Sequence, residues 1–462
     1  MTASSATSLV LFGATGNLAR TRLYPALYHL EARGRLCGIP VVGVASSAWR
    51  DEELRRRIRT SVETHVAPVD GSVLGSLLER VRYVQGDYRD PETFRRLAEL
   101  GVLGDRPTCY LAIPPSLFRE VIEGLVAIGA HQRGRVVLEK PFGRDLHSAR
   151  SLDRIVRRYF SEERIFRIDH FLGKESIQNL LVTRFANAIF EPLWNRKHVS
   201  QIQITLAEEV DTEGRGAFYD EVGAIRDVVQ NHLLQLVALL TLEPPVSTDA
   251  DALHDEVVKL LRSVQPLDCS RVVRGQYGGY REEPGVRPES GTETFAALRL
   301  DLESWRWAGV PVFLRAGKGL ATTVTEAVVE FERAPHPLIE AGAPAANQLR
   351  YRIKPDETTR LLVEAKVPGE GLRSRTLGLE VDRRRALGEA PEAYERLLGD
   401  ALEGDRRLFA RFDAIERAWE IVDPVLRDPP PLVFYPRGSW GPPAADRLVE
   451  RYGGWRSCEP GR

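Results

Sequence analysis

The chain has 462 residues, of which 43% are hydrophobic and 28% charged, and its formal net charge is -1. This length is sufficient for two or three domains with a large core. The near-neutral charge argues against a nucleic-acid-binding protein that depends on bulk electrostatic attraction. No apolar run reaches the roughly 18 residues of a membrane span.

The N-terminus and the cysteines predict a cytoplasmic protein. Residues 1–8 are small and polar and lack the basic and apolar regions of a secretory signal. Cys37, Cys109, Cys269 and Cys458 are far apart and fit neither a zinc site nor a disulfide framework. We therefore expect a reduced, cytoplasmic protein with no membrane partner.

Lysine is rare in this chain, and almost every basic residue is Arg. A compact ammonium and a planar guanidinium are not interchangeable at a tight site, so the few lysines are candidates for functional roles. Four of them, Lys140, Lys174, Lys318 and Lys354, fall in motif-like segments.

The first predicted strand, residues 8–12, is a short apolar run typical of a central parallel strand. The turn G-A-T-G-N-L-A begins at Gly13, and an amphipathic helix is predicted over residues 18–32. Amides exposed where such a turn enters a helix can hold a pyrophosphate. Because G-x-x-G is shorter than the complete dinucleotide fingerprint, a simple tight turn is the alternative.

Further strands are predicted at residues 40–44, 81–85 and 109–113, and helices at 51–65 and 91–100. Alternation of strands and helices predicts a doubly wound, Rossmann-like sheet.

The end of the second strand normally distinguishes NAD from NADP. Here it reads V-A-S-S at 44–47, with neither an acid to hold a ribose diol nor an Arg to bind a 2′-phosphate. Arg20, Arg22 and Arg50 are near enough in sequence to supply that cation. The residues therefore leave the choice between NADP and NAD open.

Charged residues also occur at the end of a later predicted strand. Residues 136–143 read V-V-L-E-K-P-F-G, and a helix is predicted at 146–160. Ligands of parallel sheets bind at the carboxyl ends of the strands, which is where Lys140 lies. The alternative is a strand end held by a salt bridge.

The densest polar cluster is R-I-D-H-F-L-G-K-E at 167–175. Asp169, His170 and Lys174 place an acceptor, a titratable ring and a cation within six residues, a set suited to an anionic substrate and to proton transfer. The flanking residues are apolar, and charges in such surroundings are usually paired or functional.

The second half contains a buried helix, predicted over residues 224–235, that Asp227 and His232 interrupt. A histidine among leucines is more often a satisfied core residue than a base. An Asp supplied from elsewhere in the chain would favour the base.

Strand-like runs dominate the rest of the chain, at residues 201–206, 294–302, 311–316, 327–331, 348–353 and 358–367. Residues 392–426 are predicted to be helical, and 429–442 to be an irregular tail. We therefore expect an α/β Rossmann-like N-terminal domain (1–175) and an α+β C-terminal domain (176–462) with a large, mostly antiparallel sheet.

Together, these segments resemble the glucose-6-phosphate dehydrogenase family, whose members open the pentose phosphate pathway. The resemblance runs nearly end to end, in order and in spacing. It is carried by G-A-T-G-N-L-A at Gly13, L-A-I-P-P at Leu111, E-K-P-F-G at Glu139, R-I-D-H-F-L-G-K-E at Arg167, F-E-P-L-W-N-R at Phe190, R-D-V-V-Q-N-H-L-L-Q at Arg226, A-G-K at Ala316 and G-S-W-G-P at Gly438.

The resemblance implies oxidation of C1 of glucose 6-phosphate to the 6-phosphogluconolactone, with hydride transfer to NADP or NAD and no metal. His232 would be the general base and Asp169 its carboxylate partner. His170 and Lys174 would bind the phosphate.

The other implied site residues fall into two groups. The sugar hydroxyls would be held by Lys140, Glu208, Asp227 and Lys318. The cofactor would be bound by Gly13, Thr15, Gly16, Asn17, Leu18, Arg20, Ser46, Pro114 and Lys140. The family also implies a homodimer or homotetramer assembled through the large sheet.

Four positions depart from the family pattern. Phe171 replaces a Tyr that reaches the phosphate, Thr323 replaces a Lys or Arg, Lys354 replaces a Gln, and Ser46 replaces an Arg that grips the 2′-phosphate. One lost hydrogen bond to a charged group is worth about 1.5–3 kcal/mol. We expect Lys354 to restore the cation missing at Thr323 and to bind the substrate phosphate, and Ser46 to weaken the preference for NADP.

Three alternatives accompany this interpretation. The altered residues Phe171 and Thr323 fit a paralogue that acts on another hexose 6-phosphate, such as an amino or deoxy sugar. A non-catalytic sugar-phosphate sensor would be expected to have lost His232 or Asp169, and both are present. An oxidoreductase of the glucose–fructose type also carries E-K-P, but the R-I-D-H and Q-N-H-L-L-Q segments argue against it.

Overall fold

The computed structural model describes residues 5–335, 344–369 and 371–458, and the chain divides into two compact units. The first unit consists of Met1–Glu175, Val246–His254 and Pro391–Glu416. The second unit consists of Ser176–Pro245, Asp255–Ala390 and Arg417–Arg462.

The strands are β1 (Ser8–Phe12), β2 (Val41–Ala45), β3 (Val81–Gln85), β4 (Pro107–Leu111), β5 (Arg135–Leu138), β6 (Ile165–Arg167), β7 (Val199–Ala207), β8 (Val272–Tyr277), β9 (Phe295–Leu300), β10 (Val312–Gly317), β11 (Val324–Phe331), β12 (Gln348–Lys354), β13 (Thr358–Lys366), β14 (Ser374–Asp382) and β15 (Leu432–Tyr435).

The α-helices are α1 (Tyr24–Ala32), α2 (Asp51–His65), α3 (Gly71–Glu79), α4 (Pro91–Glu99), α5 (Phe118–Ala127), α6 (Leu146–Arg157), α7 (Glu175–Phe185), α8 (Gly216–Ala224), α9 (Leu234–Thr241), α10 (Ala250–Ser263), α11 (Arg383–Leu387), α12 (Ala393–Glu403), α13 (Phe412–Arg427) and α14 (Asp446–Val449). Ala19–Leu23 and Ile225–Leu233 are π-helical.

The first unit is built on a six-stranded sheet in the order β3-β2-β1-β4-β5-β6. All five strand pairs are parallel, which confirms the predicted doubly wound sheet. β1, β2 and β4 are buried along their whole length, as short apolar strands covered on both faces must be. The strand order reverses between β1 and β4, and such a switch point is where open α/β sheets bind ligands.

Two apolar clusters pack in the first unit. One contains Leu27 of α1, Ile58 of α2 and Leu397 of α12, and the other contains Phe94 of α4 and Leu125 of α5. Helix α12 is therefore part of the first unit although it lies more than 200 residues after β6. The single helical segment predicted over 392–426 is in fact interrupted, because α12 ends in a left-handed glycine, Gly404.

The second unit is built on a nine-stranded sheet in the order β14-β13-β12-β11-β7-β10-β9-β8-β15. β7–β10 and β8–β15 are parallel, and the other pairs are antiparallel, so the prediction of a large, mostly antiparallel sheet is confirmed. The predicted irregular tail is partly wrong, since Leu432–Tyr435 forms the edge strand β15. Among the described residues, no helix has both the length and the apolar character needed to cross a membrane.

Candidate active site

The glycine turn after β1 is shaped for close approach of a ligand to the backbone. Gly13 has φ +82°, and a Cβ added to it would lie 2.2 Å from the carbonyl oxygen of Ala112. The amide of Gly13 donates to the carbonyl of Val44 (3.0 Å) and to the hydroxyl of Tyr88 (2.8 Å), and the amide of Gly16 donates to the carbonyl of Gly13 (2.9 Å). Only glycine fits at position 13, and the turn that results fits a dinucleotide pyrophosphate.

The remaining cofactor candidates of the turn lie beside it. Thr15 accepts a hydrogen bond from Ser47 (3.2 Å), and Arg20 donates to the side chain of Asn17 (2.8 Å). Leu18 precedes the π-helical segment Ala19–Leu23.

Two further cofactor candidates follow neighbouring strands. Ser46 is exposed directly after β2, and Pro114 is exposed three residues after β4. The fold thus brings the candidates from Gly13 to Pro114 to the carboxyl edge of β1, β2 and β4, at the switch point of the sheet.

Lys140 follows β5 at the same edge, next to a carboxylate that the sequence did not single out. Glu139 accepts a hydrogen bond of 2.5 Å from the buried Tyr110 and another hydrogen bond from Tyr394. Burial raises the pKa of Glu139 to about 7, against the opposing effects of Tyr110, Lys140 and Tyr394.

The R-I-D-H segment begins on β6 and turns tightly after it. Asp169 is 3% exposed, and its carboxylate accepts a hydrogen bond from the amide of Phe171 (2.9 Å). Arg167 is structural, since its buried guanidinium binds both Asp153 and Glu162 at 2.6 Å. The predicted residues from 169 to 174 are therefore held on one short, anchored turn.

Aromatic rings surround the two predicted phosphate ligands. The ammonium of Lys174 lies 3.8 Å from the ring centroid of Phe171, a cation–π contact. The ring of His170 is stacked on Tyr394, with centroids 6.3 Å apart and planes within 7°. Phe171 thus supplies a ring face to the lysine in place of a hydroxyl to the substrate.

In the second unit, Glu208 and Lys318 directly follow the parallel strands β7 and β10. The ammonium of Lys318 lies 2.5 Å from Glu208 Oε2, and Lys318 is only 5% exposed. Tyr435 donates a hydrogen bond of 2.7 Å to the Lys318 carbonyl. The pair is a cation and a carboxylate of the kind that hold sugar hydroxyls.

Asp227 and His232 lie in the π-helical segment Ile225–Leu233, which follows a glycine at φ +70°, Gly223. A π-helix bonds residues five apart, so this pair is separated by about one turn. In an α-helix the same spacing would direct the two side chains to different faces. The sequence predicted an ordinary buried helix, and this local widening was missed.

Tyr219 is a further residue that the sequence did not indicate. Its ring centroid lies 5.5 Å from the Lys318 ammonium. Burial raises the pKa of its hydroxyl well above the usual value, with smaller contributions from Asp227 and Glu208. Tyr219 therefore lies beside Lys318, one of the predicted sugar-binding residues of the second unit. No local sequence motif indicates this residue.

Thr323 and Lys354, two of the positions that depart from the family pattern, lie near each other in the sheet. Lys354 is the exposed last residue of β12 and pairs with Thr325, two residues after Thr323. Val324 pairs with Ala207, so this end of the sheet is also the one that carries Glu208 and Lys318. Thr323 Oγ1 accepts a hydrogen bond from the amide of Glu209 (3.0 Å).

The dinucleotide-binding sheet and the charged strand ends define the class of protein, a nicotinamide-dependent oxidoreductase with a polar, anionic substrate. Residues 10–179 match the family described as "Glucose-6-phosphate dehydrogenase, NAD binding domain", and residues 181–456 match "Glucose-6-phosphate dehydrogenase, C-terminal domain". The chain belongs to the glucose-6-phosphate dehydrogenase family.

Individual relatives match over nearly their whole length. Glucose-6-phosphate 1-dehydrogenase 1 of Mycobacterium bovis is 45% identical over 451 residues, which cover 97% of this chain and 96% of that protein. The crystal structure of glucose-6-phosphate 1-dehydrogenase from Mycobacterium avium is 43% identical, with a TM-score of 0.92 and complete coverage of both chains. A glucose-6-phosphate dehydrogenase in complex with its substrate glucose 6-phosphate is 34% identical, with a TM-score of 0.91 over 98% of this chain and 100% of that chain.

Proposed function

We propose that the protein is an NAD(P)-dependent glucose-6-phosphate 1-dehydrogenase, the enzyme of the entry step of the pentose phosphate pathway. The observation that carries this proposal is 45% identity to a glucose-6-phosphate 1-dehydrogenase over 97% of the chain. The reaction converts C1 of glucose 6-phosphate from a hemiacetal carbon to the carbonyl of 6-phosphogluconolactone.

His232 is the general base of the proposed mechanism, and it removes the proton of the C1 hydroxyl. Asp169 stabilises the imidazolium that results and keeps the ring in the required tautomer, the usual role of a carboxylate behind a histidine. Its carboxylate is buried and is already held by the amide of Phe171, so it has little freedom to turn away.

The substrate is held by charge. His170 and Lys174 bind the phosphate dianion, and Lys354 adds a cation at the sheet end beside Thr323. Lys140, Glu208, Asp227 and Lys318 bind the sugar hydroxyls. The tight Glu208–Lys318 pair supports this role, since it offers a donor and acceptors fixed in place before the sugar binds.

NADP or NAD accepts the hydride from C1. The residues that would hold it are Gly13, Thr15, Gly16, Asn17, Leu18, Arg20, Ser46, Pro114 and Lys140. The close packing of Gly13 against Ala112 supports a pyrophosphate site, because a side chain there would fill the turn. Ser46 offers no positive charge to a 2′-phosphate, so we expect the preference for NADP over NAD to be weak.

We also propose the domain and quaternary organisation. Residues 1–175 form the cofactor domain, and residues 176–462 form the domain for substrate binding and dimerisation, except for Val246–His254 and Pro391–Glu416, which belong to the first compact unit. Leu377 and Leu379 of β14 are 49% and 61% exposed and pair with Val363 and Leu361 of β13, which gives the sheet an apolar outer face. A second copy of the chain is the occupant that fits, giving a homodimer or, as a dimer of dimers, a homotetramer.

The proposed location is the cytoplasm. All four cysteines are free, as expected for a reducing compartment.

The test is the initial rate of nicotinamide reduction by the purified protein with glucose 6-phosphate, with NAD and NADP offered separately. We expect turnover with at least one cofactor and a loss of about 10²–10⁴-fold in kcat for His232→Asn. The thermal unfolding midpoint of the variant serves as a control for folding. No reduction with either cofactor by folded wild-type protein would overturn the proposal.

A second candidate is the same oxidation of a different hexose 6-phosphate. Phe171 and Thr323 favour it, because Phe171 lacks the hydroxyl of the family's Tyr and Thr323 lacks the cation of the family's Lys or Arg. A panel of 2-amino and deoxy hexose 6-phosphates distinguishes the two. The candidate fails if glucose 6-phosphate has the highest kcat/KM of the panel.

A further inference from the structure

Glu139 joins three elements of the first unit through one carboxyl group. It follows β5 and accepts a hydrogen bond of 2.5 Å from Tyr110, which is fully buried on β4. It also accepts a hydrogen bond from Tyr394, on α12. A partly buried carboxylate with two tyrosine donors is a rigid junction, since a displacement of either ring breaks a charge-assisted hydrogen bond.

Each branch of this junction leads to a residue with a proposed role in binding. The ring of Tyr394 lies parallel to that of His170, which is the proposed phosphate ligand. Lys140, the next residue after Glu139, is a proposed ligand of both the sugar and the cofactor. Glu139 itself has no assigned role, and Tyr394 belongs to a segment in which the sequence indicates no site.

We propose that Glu139 is a positioning residue, which fixes the ring of His170 through Tyr394 and fixes Lys140 through the main chain at the end of β5. The proposal rests on the proposed function, which assigns phosphate binding to His170 and sugar binding to Lys140. Glu139 and Tyr394 act here through other residues and need no contact with the substrate. A single carboxyl group thereby fixes the positions of two proposed ligands, one for the phosphate end of the substrate and one for its C1 end.

The protonation state of Glu139 decides how well this junction holds. Among the described residues, the charged or titratable groups that face it are Tyr110 from β4, Lys140 beside it and Tyr394 from α12. Tyr394 in turn faces Arg22, Asp169 and the ring of His170. The ionised carboxylate accepts both tyrosine hydroxyls. The protonated carboxyl is itself a donor, so one tyrosine loses its acceptor. Burial places the pKa of Glu139 at about 7, and the junction is therefore firm above that pH and loosened below it.

The first test uses Glu139→Gln, Tyr394→Phe and the double variant, with Tyr159→Phe as a matched control. Tyr159 also lies in the first unit, where its ring contacts Arg158 and His131. We expect Tyr394→Phe to raise the KM for glucose 6-phosphate about fivefold to tenfold with little change in the KM for NAD(P) or in kcat. Glu139→Gln should raise the KM for glucose 6-phosphate and also lower kcat, because Lys140 shifts as well.

The double variant distinguishes positioning through Tyr394 from two independent effects. Its KM for glucose 6-phosphate should equal that of Glu139→Gln within about twofold, since the carboxylate and the tyrosine act in series. Multiplication of the two single effects would overturn the proposal, and so would a Tyr394→Phe variant with the KM of Tyr159→Phe.

The second test is the ratio of kcat/KM between the wild type and Glu139→Gln as a function of pH. The titration of the substrate phosphate is the same for both proteins and cancels in the ratio. We expect the ratio to rise as the pH increases through about 7. A ratio that is constant from pH 6 to 8 would contradict the proposal, because a merely structural loss does not titrate.

A third readout does not depend on turnover. In protein with labelled histidine, the Cε1–Hε1 resonance of His170, assigned with His170→Asn, should shift in Glu139→Gln because the ring current of Tyr394 changes. An unshifted resonance would overturn the positioning even if the enzyme is active. A shifted resonance in a protein that does not oxidise glucose 6-phosphate would overturn the proposed function and leave the positioning intact.

Discussion

The glycine turn after β1 allows a prediction in which one substitution is compared with a matched control. Gly13 and Gly34 both have positive φ, at +82° and +67°. Alanine at either position costs about 1–2 kcal/mol in a left-handed backbone. At Gly34 no neighbouring atom of the described residues lies within 4 Å of the added Cβ, so this is the whole cost.

At Gly13 the added Cβ meets backbone that cannot easily move. It would lie 2.2 Å from the Ala112 carbonyl oxygen and 3.0 Å from Ile113 Cγ2. The amide of Ala112 donates to the carbonyl of Phe12 at 3.0 Å, so relief of the clash pulls β1 and β4 apart. An unsatisfied backbone group in this buried sheet costs about 1–3 kcal/mol, and the total for Gly13→Ala is therefore about 2–5 kcal/mol.

The assay compares urea unfolding and the affinity for NADP, followed by fluorescence, in Gly13→Ala and Gly34→Ala. We expect Gly34→Ala to bind NADP like the wild type and Gly13→Ala to lose at least about tenfold in affinity, because the turn amides move. The reasoning is refuted if Gly13→Ala binds NADP as the wild type does and unfolds within about 1 kcal/mol of Gly34→Ala.

Three further predictions concern single side chains. Ser46→Arg should raise the ratio of kcat/KM for NADP to that for NAD by about tenfold to a hundredfold, because the new guanidinium donates a charged hydrogen bond to the 2′-phosphate. An unchanged ratio would mean that the 2′-phosphate does not bind beside residue 46. Lys354→Gln should raise the KM for glucose 6-phosphate, with Lys366→Gln as the control on the same sheet, and an unchanged Michaelis constant would remove Lys354 from the site. Burial, together with the nearby charges of Arg411 and Arg406, lowers the pKa of His254. As the pH drops below about 6.5, the histidine therefore takes up a proton in the unfolded chain but not in the folded protein, and the free energy of unfolding should fall. His254→Phe should abolish that slope without loss of stability at pH 8, because neither ring nitrogen has a hydrogen-bond partner among the described residues.

Local features made much of the first unit predictable. Residues 81–85 and 51–65 match β3 and α2 to the residue. Buried parallel strands are short apolar runs, and helices between them carry an apolar stripe, so both leave a periodic signal in the sequence. The turn at Gly13 was predicted because two glycines lie directly between an apolar strand and an amphipathic helix.

In the second unit, local sequence signals were not sufficient to predict every strand. β8 and β14 were missed, and β15 was taken for irregular chain, because Gly275, Gly378 and the prolines before Leu432 weaken the strand pattern. Pairing with a neighbouring strand, which the sequence does not display, decides such cases. The π-helical widening around His232 is of the same kind, since it depends on packing as well as on propensity.

The sequence by itself determined the chemical groups of this protein and their order along the chain. The R-I-D-H segment, the E-K-P strand end and the lysines kept in an arginine-rich background indicated a charged site for an anionic substrate, and the family resemblance added the phosphate. These signals are local, because the residues of each motif lie within a few positions of one another.

Only the tertiary structure decided which distant residues support those groups. Tyr394 reaches Glu139 and His170 from α12, and Tyr219 joins Lys318 from α8. A contact between residues so far apart in the sequence depends on the path of the whole chain and on which apolar faces pack together. No single segment carries that information, and the supporting shell of the site therefore became visible only in the folded protein.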